Sequence, residues 1–199
     1  KSLVSPYAKS KGISSSNLDT VQIHSLDDLR QVWTDVVKVK KYRTVIIDSL
    51  SMLHESVTGQ IMSERGIDTM EQRDWGTLRN RMFKFANVIF NTEGINVICT
   101  AHMRKKESPL DGSEKWYPNL TGQFADMAGG FFDFIMFMEP RAGGVRRVYY
   151  QPTEKFYAKD RTGLLGQFDD NPTFETILKK LASTNSVLRQ QDKEVHTKT

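Results

Sequence analysis

The run Thr44-Val45-Ile46-Ile47-Asp48-Ser49-Leu50-Ser51 constrains the fold more than any other stretch of the chain. Consecutive β-branched apolar residues suit a strand, and a continuous apolar strand is the signature of a parallel sheet covered on both faces. The run stops on a carboxylate followed by hydroxyls. In open α/β sheets ligands bind just beyond the carboxyl ends of the strands, so such a strand delivers Asp48 to a site. The plainer use of a strand-end aspartate is to cap the next turn.

The flanking segments supply helices for this strand. Ser25-Leu26-Asp27-Asp28 has the form of a capping box, and Leu29, Val32, Trp33, Val36 and Val37 follow at helical spacing. Lys38, Lys40, Lys41 and Arg43 crowd the end of that helix, where cations complement its dipole. Val21-Gln22-Ile23 reads as a short strand. Residues 54–74, polar and holding Gly59 and Gly66, read as a long mobile connection. Asp74 then caps a second helix with Trp75, Leu78, Met82, Phe85, Ala86 and Ile89 as its apolar stripe. Ile95 to Ala101 is a second buried strand that runs into His102. Residues 103–122 read as another long connection, and loops of that length are usually functional or disordered. A short helix over 124–131, an apolar strand over 132–138, an antiparallel pair formed by 147–151 and 155–159, and a helix over 173–181 complete the pattern. The order predicts an α/β fold, a mainly parallel central sheet flanked by helices with an antiparallel hairpin towards the C-terminus. Residues 1–182 form that core, and 183–199 a polar, flexible tail.

Composition narrows the partners only loosely. The 199 residues fit one domain with extensions. Twenty-eight basic against 24 acidic residues give a net charge of +4 and a pI near 9.1, compatible with nucleic acid without demanding it. The single cysteine, Cys99, lies in an apolar run, reads as a core residue and rules out an internal disulfide, which suits an intracellular protein. No apolar run approaches the ~20 residues that span a bilayer, and the start at Lys1-Ser2-Leu3-Val4 lacks the apolar core of a signal peptide. A first residue of Lys rather than Met suits a fragment or a processed product.

Taken in order, TVIIDSLS, DWGTLRNRMFKFANVIF, NVICTAHMRKK, LTGQFADMAGGFFDFIMFM and YAKDRTGLL resemble the RecA-type P-loop ATPases over about Val21 to Leu165. The likeness is nearest to a phage-encoded branch linked to single-strand annealing and recombination. The first segment then looks like a Walker B strand, whose aspartate holds the Mg²⁺ that bridges the nucleotide phosphates. Its usual companion, a G-x-x-x-x-G-K-[ST] phosphate loop, does not occur in the 199 residues. In the family that loop lies N-terminal to everything seen here. The expectation is therefore a sequence lacking an N-terminal segment of some tens of residues; the alternative is a relative that has lost hydrolysis.

The resemblance implies a role for each matching residue. Asp48 holds Mg²⁺ and, with Ser49 and Thr100, faces the ATP. His102 senses the γ-phosphate and relays its state to the segment after it. Arg104, Lys105 and Lys106 open a DNA-binding loop on which Trp116 and Tyr117 stack against bases; Arg65 and Arg73 serve a first such loop. Lys159 and Arg161, two apart on an extended strand, project to one side and reach a neighbouring subunit's γ-phosphate as an arginine finger does. Without the resemblance these are a solvated charge run, rim aromatics and a turn closed by Gly163. Asp133 carries no catalytic role. The implied protein is a single-strand DNA-dependent ATPase using ATP and Mg²⁺. It assembles as a homo-oligomeric ring or filament and works beside a single-strand-binding protein, away from membranes and in the host cytoplasm. A non-hydrolysing RecA-fold subunit and a helicase or helicase-loader core share the same strands.

Overall fold

The computed structural model describes residues 18–107 and 112–183. The expected tail therefore lies almost wholly outside the described residues, as does most of the N-terminal polar stretch.

Helix α1 (Leu26–Val39) begins where Ser25 Oγ accepts from the Asp28 amide at 3.0 Å, and Asp28 accepts from the His24 amide in return. It buries Leu26, Leu29 and Trp33. Strand β1 (Thr44–Ile47) follows and pairs in parallel with β2 (Asn96–Cys99), Thr44 opposite Asn96 and Ile47 opposite Cys99. Between them run α2 (Leu50–Arg65) and α3 (Gln72–Phe90). Next come the antiparallel strands β3 (Met103–Glu107) and β4 (Glu114–Pro118), then helix α4 (Gly122–Phe131). The C-terminal part holds β5 (Phe134–Ile135), β6 (Phe137–Pro140), β7 (Arg146–Tyr149), β8 (Lys159–Asp160) and β9 (Phe168–Asp170). A final helix, α5, covers residues 174–183.

Two cores result. The larger is built from Leu53, Val57 and Ile61 of α2, Leu78, Met82, Phe85 and Ile89 of α3, Phe124 of α4 and the buried face of α1. Val45, Ile47, Val97 and Cys99 bring one face of the β1–β2 pair onto it. Each fully buried aliphatic or aromatic side chain contributes about 1.5–3 kcal/mol. Trp33 ties α1 across this core by donating from its indole nitrogen to Thr92 Oγ1 at 3.1 Å. The smaller core gathers Val148, Tyr150, Leu165 and Ile177 under the β6–β7–β9 sheet.

Several expectations need correction. The mainly parallel central sheet is not found: among the described residues β1–β2 is the one parallel strand pair, and β3–β4, β5–β8 and β6–β7–β9 are antiparallel. An unbroken apolar run implies cover on both faces, yet Ile46 is 59% exposed, so the run overstates the layering. Residues 54–65 are helical rather than a mobile connection. Leu50, Leu53, Val57 and Ile61 already lie at helical spacing, and packing outweighs the ~1 kcal/mol that Gly59 costs inside a helix. That helix ends at Gly66, whose left-handed φ of 63° glycine accepts without strain.

Helix α3 starts earlier than expected. Glu71 is its cap, and Asp74 accepts from the Glu71 amide at 2.9 Å. The stretch 103–122 contains the β3–β4 pair instead of being loop throughout. Residues 132–138 split at Met136 into β5, which pairs with β8, and β6, which pairs with β7. Segments 147–151 and 155–159 do not pair with each other; β7 joins β6 and β9 instead. Residues 21–23 carry no strand.

Candidate active site

Parallel register brings two strand ends level, and the putting together of the site follows from that. One residue past the last β1–β2 pair stand Asp48 and Thr100, and Thr100 Oγ1 donates to Asp48 Oδ1 at 2.5 Å. The backbone laces the same end: Thr100 N donates to Ile47 O at 3.0 Å and Leu50 N to Thr100 O at 2.8 Å. The Asp48–Ser49 peptide is cis. Ser49 is the N-cap of α2, its hydroxyl accepting from the Met52 amide at 3.3 Å. Ser51, buried in the first turn, accepts from the His102 amide at 3.1 Å, while His102 O accepts from Asn119 N at 2.7 Å. Asp48, Ser49, Thr100 and His102 thus share one end of the sheet.

The chemistry of this end is that of hard oxygen donors beside a helix N-terminus. Asp48 is exposed, and its Oδ2 has no hydrogen-bond partner among the described residues. The positive end of the α2 dipole favours an anion close by. Magnesium is commonly held by one or two carboxylates with waters and substrate phosphates completing the shell. One open carboxylate with neighbouring hydroxyls fits that habit. No group of three or more His, Cys, Asp or Glu that could cage a metal exists among the described residues. Cys99, one residue before Thr100, has its thiol pushed up by burial to about 12, so it is a packing residue and not a nucleophile at neutral pH.

The cations after His102 are divided between two faces. Cross-strand register sets Lys105 opposite Trp116, Arg104 opposite Tyr117 and Lys106 opposite Lys115. Alternation then gives one face Lys105 and Trp116, and the other Arg104, Lys106, Lys115 and Tyr117. Lys105 pairs with Glu114 and lies 5.5 Å over the Trp116 ring. Tyr117 stacks on Tyr157 at 5.6 Å. Sequence reasoning missed Lys115, whose membership of the basic face shows only in the strand register.

Other candidates are tied into the fold. Arg65 donates to both Asp74 oxygens and to Glu71 (3.1 Å), and Arg73 pairs with Glu71 at 3.2 Å, so both arginines fasten the α2–α3 junction. Burial raises the Asp74 pKa, but the Arg65 guanidinium and the Glu71 amide together outweigh it and hold the carboxyl below the usual range. Lys159 Nζ donates to the carbonyls of Gly129 (2.7 Å) and Phe132 (2.8 Å), the unpaired end of α4. Arg161 bonds Gly130 O at 3.1 Å and pairs with Asp133 at 2.8 Å. The two do reach one feature, as their spacing implied, and within the chain that feature is the helix end.

A carboxylate at the carboxyl end of a parallel strand, bonded to a hydroxyl on its neighbour and followed by a capped helix, stands where ligands bind in open α/β sheets. Residues 10–162 match a family model described as an AAA domain, and the chain belongs to that P-loop ATPase-like family. No curated protein and no solved structure matches the chain. The match also gives the protein a nucleotide-binding, ATPase-like character. No helix among the described residues is long and apolar enough to cross a membrane.

Proposed function

We propose that the protein is the catalytic half of a RecA-like, single-strand DNA-dependent ATPase of the phage recombination or annealing branch. The observation that supports this best is the bonded pair Asp48–Thr100 at the common end of β1 and β2, with α2 opening directly behind it. Asp48 holds Mg²⁺, which when bound neutralises charge on the phosphates. Ser49 and Thr100 orient that carboxylate. His102 sits where β2 leaves for β3, and the hydrogen bond its amide donates to Ser51 Oγ couples the strand exit to the first turn of α2. The γ-phosphate state passes by this route to the β3–β4 pair, whose basic face meets the DNA backbone.

These 199 residues hold no G-x-x-x-x-G-K-[ST] loop, so this reading needs a phosphate-gripping group supplied from elsewhere in the assembly. Lys159 and Arg161 act across a subunit boundary in the assembled homo-oligomer. That role requires Arg161 to exchange Asp133 for phosphate.

The test is ATP turnover by the product of the complete gene, with and without a single-stranded oligonucleotide. Turnover that needs Mg²⁺ and rises with the strand is expected. Binding of the strand without turnover would instead support the non-hydrolysing subunit. Duplex unwinding would identify a helicase core.

A further inference from the structure

A cleft of about 470 Å³ lies away from the Asp48 end, where β4 meets the C-terminal sheet. Its size is in the range of small-ligand sites, which are lined by aromatic groups with a few fixed polar ones. Four segments supply its wall. Trp116 comes from β4, Phe137 from β6, Tyr149 from β7, and Phe156 from the stretch before β8.

Two of these rings are stacked and a third is tilted against them. Phe137 and Phe156 are 4.3 Å apart and 5° from parallel, and Tyr149 lies 4.6 Å from Phe156. The backbone locks the fourth segment to β4: Trp116 N donates to Lys155 O at 2.9 Å and Tyr157 N to Trp116 O at 2.9 Å. Thr153 Oγ1 accepts from the Lys155 and Phe156 amides at 3.2 and 3.3 Å, which fixes the turn.

Polar groups on the wall are held as firmly. Arg141 pairs with Glu139 at 2.7 Å and donates to the Tyr149 hydroxyl at 2.7 Å. Guanidinium and carboxylate side by side offer both donors and acceptors, with little net charge. Glu154 and Lys155 repeat that balance. A pocket of this kind suits a flat, neutral ring whose edge both donates and accepts hydrogen bonds. Lys105, over the Trp116 ring, adds a cation next to one wall.

We infer that this cleft binds a nucleobase by stacking, with Arg141 and Glu139 reading its edge. The base comes either from a single strand lying along the β3–β4 pair or from a free nucleotide. The strand version rests on the DNA reading proposed above; the base-binding cleft does not.

The experiment is photocrosslinking of the full-length protein with a 5-iodouracil-bearing oligonucleotide, and separately with an 8-azidoadenine mononucleotide, followed by mass-spectrometric mapping. Binding of the same strand and of an abasic strand of equal length is measured for the native protein and for Arg141→Ala and Phe156→Leu. Crosslinks at Phe137, Tyr149 or Phe156 are expected. So is a preference of about tenfold for the base-bearing over the abasic strand, falling to within about twofold in the variants. Mononucleotide labelling of the cleft without strand labelling would support base binding and overturn the strand as its source. Strand crosslinks confined to the Arg104, Lys106 and Lys115 face would overturn the cleft while leaving the DNA reading intact. Labelling of the cleft by neither probe overturns the inference.

Discussion

Gly129 lies in α4 at a place where an added methyl group would stand 2.6 Å from the Tyr157 hydroxyl. Glycine to alanine inside a helix ordinarily stabilises by up to ~1 kcal/mol. Here the sign reverses, because Tyr157 is held by its stack on Tyr117. Gly129→Ala is expected to cost about 1–3 kcal/mol, seen as a lower Tm. The same substitution in a Tyr157→Phe background should be neutral or stabilising.

His54 is a second residue-level case. It is buried at 2% exposure near Phe124, and its Nε2 has no partner. Burial pushes its pKa below the usual 6.5, against the opposing pull of Glu55 and the Thr121 backbone. The unfolded chain therefore takes up this proton more readily than the folded one. Its effect on stability is absent above about pH 6.5 and becomes a growing loss as the pH falls through that value towards the folded pKa. The loss approaches about 1.4 kcal/mol per pH unit. Denaturant melts at pH 7.5 and 5.5 should show a smaller difference in His54→Leu than in the native protein; equal differences would refute this account.

At the level of elements, the two faces of the β3–β4 pair behave differently. Lys115 has no ion pair among the described residues, whereas Lys105 is already matched by Glu114. If the basic face meets single-stranded DNA, Lys115→Ala should reduce the slope of log K against log salt by about 0.7, the share of one phosphate contact. Lys105→Ala should change it less. The reverse order would put the strand's phosphates on the Trp116 face.

This division was hidden in the sequence, where Arg104, Lys105 and Lys106 read as one cluster. Alternation could separate them only once 103–107 was known to be a strand. Helix α2 was obscured in a similar way, since polar residues and Gly59 diluted a stripe that tertiary packing completes. In contrast, α1 is legible because its capping residues and apolar stripe agree, and α3 through its long apolar stripe, although its cap is Glu71 rather than Asp74. The Asp48 end was legible too, because a strand, a carboxylate and hydroxyls follow one another directly. Its neighbours Thr100 and His102 needed only the second strand to run parallel. Lys159 and Arg161 were recognised as a pair by their spacing. Their shared partner, the end of α4, is remote in sequence and could not have been read there.

For the whole molecule, the Asp48 end and the aromatic cleft form separate sites joined through β3 and β4. His102 leads into β3, and Trp116 of β4 lines the cleft. Under the proposed function, the nucleotide state at the Asp48 end passes along that path to the β3–β4 pair. The central claim is that Asp48 is the magnesium carboxylate of an ATPase. Its most direct test is Mg²⁺-dependent ATP turnover by the complete gene product carrying Asp48→Asn, alongside its Tm. Turnover about a hundredfold lower or less, at an unchanged Tm, is the predicted result. Wild-type turnover in that variant would contradict the claim.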